Sequence, residues 1–144
     1  MADVVPWILL ARESPARIEA ARWRDQARSL LGVELEAGDH SRVVLADERI
    51  RVRVEAKLDV FVSARPIDAC AAERARAMRG VEAIGGAGFD ALVAAAKTVW
   101  FVDGEDERSA LIVCAVLAMV LLAPIVPPAG ETIFGFKGAR SRLG

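Results

Sequence analysis

What the chain lacks does most to narrow its chemistry. His40 is the single histidine, and neither Cys70 nor Cys114 is near it in sequence. A zinc site or a Cys–His nucleophile therefore has no second partner to build on. No serine sits in a Gly-x-Ser-x-Gly elbow. Gly85-Gly86-Ala87-Gly88 has neither the Gly-x-Gly-x-x-Gly spacing nor a Gly-Lys-Ser/Thr ending, so it reads as a hinge between helices. The carboxylates Asp103, Glu105, Asp106 and Glu107 do not follow EF-hand spacing and instead suit the positive end of the helix after them. Charge of one sign is missing too. The net charge is −1 and the pI about 5.9, which gives no global pull toward nucleic acid or anionic lipid. No catalytic set converges, and no cofactor or metal is expected.

Long apolar runs are nearly absent. The longest, Ala110–Ala123 (ALIVCAVLAMVLLA), is about 14 residues against the ~20 that span hydrocarbon, and Pro124 follows it. A helix there would be apolar around its whole circumference and would need cover on every side. Membrane anchoring through 110–129 is the alternative, with Lys137, Arg140 and Arg142 following as a cytoplasmic flank would. At the N-terminus Asp3 stands where an export signal would place a basic residue. The chain is accordingly read as cytoplasmic, with Cys70 and Cys114 as buried thiols in a reducing compartment.

Hydrophobic residues are plentiful, at 54% with a mean hydropathy of +0.32. That surplus suggests a partner surface, a second copy of the chain or another protein. Over 144 residues one domain is expected, 1–137, followed by a flexible basic tail, 138–144.

The run Val4–Ala11 reads as a strand from Trp7 onward. Ser14-Pro15 reads as a helix start, with the helix reaching Leu31 and Gly32 ending it. Val33–Glu36 and Arg42–Ala46 read as strands around a turn at Gly38–Ser41, with Asp47-Glu48 as a tight connection. From Ile50 to Ser63 the chain alternates: Ile50, Val52, Val54, Ala56, Leu58 and Val60 on one side, Arg49, Arg51, Arg53, Glu55, Lys57 and Asp59 on the other. That predicts one long half-buried strand with a bend or bulge near Ala56. Ile67–Arg79 reads as a helix with Ala71, Ala75 and Met78 inward and Gly80 closing it. Phe89–Lys97 is a short helix, Thr98–Val102 a strand, and Thr132–Phe136 a short edge strand. The whole predicts an α+β domain: a mainly antiparallel sheet of four to six strands, helices on one face with Ala110–Ala123 at their centre, and the charged row on the other face.

Two motifs carry candidate chemistry. Glu55-Ala56-Lys57, with Asp39 or Asp47 upstream, resembles the ligand set of PD-(D/E)XK metal-dependent nucleases. That resemblance implies carboxylates holding a divalent ion and a lysine stabilising the attacking water or the phosphate; the upstream Pro-Asp is missing. The row Arg49, Arg51, Arg53 is a candidate interaction strip. With no aromatic expected on its face for stacking, it reads against nucleic acid. The resulting expectation is a small non-catalytic bacterial-type interaction protein, a homodimer or a subunit of another protein. The nuclease and the membrane-anchored subunit are its alternatives.

Overall fold

Trp7–Ala11 (β1) is apolar on both sides of its pleat, so it has to lie where both faces of a sheet are covered. The computed structural model, which describes residues 5–144, puts it there: all five residues are buried. β1 pairs antiparallel with Thr98–Gly104 (β7) on one side and Ile125–Val126 (β8) on the other. Beyond β7 follow Leu58–Pro66 (β6), Ile50–Val54 (β5) and the edge strand Leu35–Glu36 (β3). The protein is thus an α+β fold on a six-stranded antiparallel sheet in the order β3-β5-β6-β7-β1-β8.

Helices Ala20–Leu31 (α1), Glu107–Leu121 (α4) and Phe136–Leu143 (α5) serve the larger core. α4 touches α1 and α5 as well as β1, β5, β6 and β7, and every residue from Ser109 to Ala118 is buried. The Asp106 carboxylate caps it, accepting the Ser109 amide at 2.6 Å, and those hydrogen bonds hold the carboxyl below its ordinary pKa. Trp23 of α1 meets Trp100 of β7 edge to face at 5.8 Å. A second, smaller core covers the other face at the β1–β8 end. Ile8, Leu10 and Val99 pack there with Cys70, Ala77, Val81, Val93, Ala96 and Ile133, from Ala71–Ala83 (α2), Phe89–Ala94 (α3) and adjoining loops. Both thiols are buried, and burial raises the pKa of each. Among the described residues no helix is long and apolar enough to cross a membrane.

Several local expectations are corrected. Ser14-Pro15 does not open the first helix. Arg17–Glu19 (β2) pairs instead with Ser41–Val43 (β4) in a separate two-stranded sheet, which buries Ile18, and α1 starts at Ala20. Its end is where glycine placed it: Gly32 takes φ 65° and donates to the Arg28 carbonyl. Ile67–Ala69 is a 3₁₀ turn, and α2 follows with Ala77, Gly80 and Val81 buried while Met78 is exposed. Gly80 lies inside that helix because Thr132 crowds it: a Cβ there would sit 2.5 Å from the Thr132 carbonyl oxygen. Thr132–Phe136 contributes one bridge, Phe134 to Ile125, in place of a strand. Residues 138–144 are no loose tail but most of α5, anchored by buried Ala139, with Leu143 packed on the larger core.

The apolar surplus is largely absorbed within the chain. Among the described residues the large hydrophobics more than one-third exposed are Val5, Val43, Leu45, Met78, Ile84 and Leu122, dispersed over separate segments.

Candidate functional site

The stretch expected as one long strand is a hairpin. β5 ends at Val54, β6 begins at Leu58, and Val54 pairs with Leu58. Glu55 and Ala56 take φ 54° and 55°, the left-handed pair that suits a tight turn between right-twisted strands. The Glu55 amide is further tied to the Glu34 carbonyl at 2.8 Å. This corrects the strand placement of the nuclease-like pair: Glu55 and Lys57 lie in the exposed connection. The Glu55 carboxylate faces Arg108 at 3.6 Å. Asp47 lies in the loop before β5 with φ 62° and reaches Arg65 at 3.2 Å. Asp39 is an exposed bend residue between β3 and β4. Among the described residues no group of three or more His, Cys, Asp or Glu side chains is placed to share a metal ion.

The hairpin register builds a different site. Directly paired residues of an antiparallel sheet share a face. Ile50, Val52 and Val54 are buried toward α4, so Arg49, Arg51 and Arg53 point the other way. Across from them Arg51 pairs with Phe61 and Arg53 with Asp59. One strand further, Phe61 pairs with Asp103, Ser63 with Phe101 and Arg65 with Val99. α2 and α3 contact β8 and β1 and leave the β5–β6 half of this face open. It carries Arg49, Arg51, Arg53 and Arg65 with Phe61, Ser63 and Phe101 between them. The expectation that no aromatic interleaves with the arginine row is therefore corrected: Phe61 and Phe101 both do.

The two phenylalanines support two of the arginines. The Arg49 guanidinium lies 4.0 Å from the centre of the Phe61 ring, and that of Arg65 lies 5.9 Å from Phe101. Each such contact contributes about 0.5–1 kcal/mol at an exposed site and keeps a long side chain laid along the sheet. A shallow pocket of about 280 Å³ is lined by Pro6, Arg49, Phe61, Ser63, Arg65, Phe101 and Asp103. Arg49 also faces Asp103 at 3.6 Å and Arg53 faces Asp59 at 3.6 Å. The Arg49–Asp103 pair is substantially exposed and contributes ~0–1 kcal/mol, whereas the Asp59 Oδ1 that faces Arg53 is buried and accepts no hydrogen bond. Arg51 has no ion-pair partner among the described residues. Glu36 of β3 pairs with Arg53 and shares this face, so Glu36, Asp59, Asp103 and the loop-borne Asp47 match the four arginines of the open half-sheet in number.

Phe61 was readable in advance. Three connecting residues between Val54 and Leu58 preserve the odd–even parity of the hairpin, so odd positions past Asp59 stay on the arginine face. Phe101 was not, because its side of β7 follows only once β7 is known to pair with β6. No family model, no curated protein and no solved structure matches this chain.

Proposed function

We propose that the chain is a small, non-catalytic, cytoplasmic interaction protein, docking as a subunit on another protein through the open β5–β6 half of its sheet. The observation that carries this reading is the uncovered face itself. A sheet of this size buries its apolar side chains in two cores, yet one half-face presents arginines laid on phenylalanines above a shallow pocket. Arginine and aromatic anchors clustered in a pocket are the usual composition of an interface hot spot.

Light scattering separates the forms of the reading. A mass of one chain at tens of micromolar fits a subunit that waits for a different partner. A two-chain mass that falls to one chain in Arg51→Glu makes the partner a second copy. Cross-linking from a photoreactive residue at position 51 tests the surface in cell extract. If the partners it captures stay unchanged when the probe is moved to the exposed position Arg140, the open face is not the docking surface. A Mg²⁺ or Mn²⁺ titration with heat that vanishes in Glu55→Ala would favour the metal-dependent nuclease instead.

A further inference from the structure

We infer that the partner seated on the open half-sheet is a second copy of this chain, packed face to face about a two-fold axis that runs along the β5–β6 hairpin between its two strands. The inference rests on the interaction reading above and names the partner in it.

The net charge of the surface selects neither an acidic nor a basic partner. Arg49, Arg51, Arg53 and Arg65 are matched by Glu36, Asp47, Asp59 and Asp103, so no long-range field favours one sign. What the surface does have is order. Its side chains fall in rows across the hairpin, about 7 Å apart along strands that lie ~4.8 Å from each other. Arg53 stands opposite Asp59, and Arg51 opposite Phe61. The same register, continued, sets Arg49 opposite Ser63, and beyond them Arg65 meets Asp47 at 3.2 Å. Every row thus holds two unlike groups: an arginine, and a carboxylate, an aromatic ring or a hydroxyl.

A two-fold axis parallel to the strands and midway between them exchanges β5 for β6. Each row of one copy then lies over the same row of the other with its two members swapped. Arg53 faces the partner's Asp59, Arg51 the partner's Phe61, Arg49 the partner's Ser63, and Asp47 the partner's Arg65. No row sets like charges opposite each other. The ion pairs within each chain need not break, because two stacked pairs form a square in which every charge has an opposite charge on two sides. Arg51, without an ion-pair partner among the described residues, gains an aromatic one. Asp59, whose Oδ1 is buried without a hydrogen bond, gains a second guanidinium beside its carboxylate. Glu36, on the edge strand β3, lies at the rim. The strands of the two sheets come out nearly aligned, a packing that twisted sheets favour. Size sets the strength of the contact. Four strands by four rows make about 500 Å² in projection, short of the ~800 Å² per partner of a standard interface, so a weak dimer is expected.

The test is the mass of the full chain by sedimentation equilibrium, for the wild type and for charge reversals in single rows. The wild type should pass from one chain to two between ~10 µM and ~1 mM, as a small interface implies. Arg53→Asp sets two carboxylates opposite each other at both symmetric contacts, and Asp59→Arg sets two guanidiniums there. Each should weaken dimerisation about tenfold or more, because like charges are juxtaposed and the symmetry repeats the contact. Mixed one to one, the two variants should recover the two-chain mass at about the wild-type concentration, within roughly threefold. In the mixture aspartates at both positions of one chain meet arginines at both positions of the other. No contact within a single chain can produce that recovery. The same recovery is expected of Asp47→Arg mixed with Arg65→Asp, two exposed positions that keep the test open if Asp59→Arg does not fold. Arg140→Asp on α5 should dimerise as wild type, with circular dichroism showing each variant folded. A one-chain mass for the wild type up to ~1 mM, an unchanged two-chain mass in the single variants, or mixtures no heavier than their components each overturns the inference. Cross-linking from position 51 still decides, separately, whether this surface docks on a different protein.

Discussion

The two sides of the β5–β6 hairpin share one backbone and differ in nearly everything else. On one side Ile50, Val52, Val54, Val60 and Val62 are buried against the α4 side of the sheet. Their alternates, Arg51, Arg53, Asp59, Phe61 and Ser63, are exposed or half-exposed. The buried side is where stability resides, because removing apolar area from water contributes ~25 cal/mol per Å² and close packing adds to it. The open side contributes little to the fold, since its exposed ion pairs are individually weak. Its arrangement is therefore free to serve recognition. The difference between the faces shows where substitutions should break the protein and where they should break only its contacts.

The strongest contrast is expected from Trp100→Ala. This residue is fully buried beside Trp23, and its loss should cost about 3–5 kcal/mol in urea denaturation. A result under ~1 kcal/mol would mean that the larger core does not hold the sheet as described. Next is Gly80→Ala on α2. A Cβ there meets the Thr132 carbonyl oxygen at 2.5 Å, so α2 must move off the 132–134 segment at a cost of about 1–3 kcal/mol. Stabilisation instead would show that the smaller core is loose enough to yield.

Asp106→Ala removes the cap of α4 and should cost ~1 kcal/mol. Hydrogen bonds to the Ser109 amide and hydroxyl lower the folded-state pKa of Asp106, with the amide the larger cause. Its contribution is therefore fully present above the ordinary carboxylate pKa of about 4 and is lost as pH falls through the lower folded value. Wild type and variant should converge in stability at acid pH, as a pair of melting curves will show. The smallest effect belongs to the open face. Arg51→Ala and Arg53→Ala should change stability by no more than ~0.5 kcal/mol while weakening partner binding. A large stability loss from either would erase the distinction between the two sides.

Much of this division was legible in the sequence. The two-residue period from Ile50 placed the arginines opposite the valines, and the apolar run Trp7–Ala11 marked a strand buried on both faces. Gly32 ended α1 where its left-handed preference allows. The hairpin turn was missed because Glu55 and Ala56 are not residues that favour positive φ; tertiary pairing, including the Glu55 amide to Glu34, holds them there. β2 was missed because the Ser14-Pro15 helix signal is local, while burial of Ile18 and pairing with β4 are not. α5 was visible in the spacing of Phe136, Ala139 and Leu143 but was masked by its basic surface. Of the site, the arginines were named from sequence, Phe61 followed from the same alternation though it was overlooked, and Phe101 required the β6–β7 register.

One consequence of the core's composition is practical. Trp7, Trp23 and Trp100 all lie in the larger core, and the chain has three tryptophans and no tyrosine. Intrinsic emission excited near 280 nm therefore comes wholly from one side of the sheet. A red shift should signal loss of that packing, whereas a ligand seated on the opposite half-face should leave the spectrum where it was. The molecule carries an optical gauge for its own folding that is blind to what docks on its back.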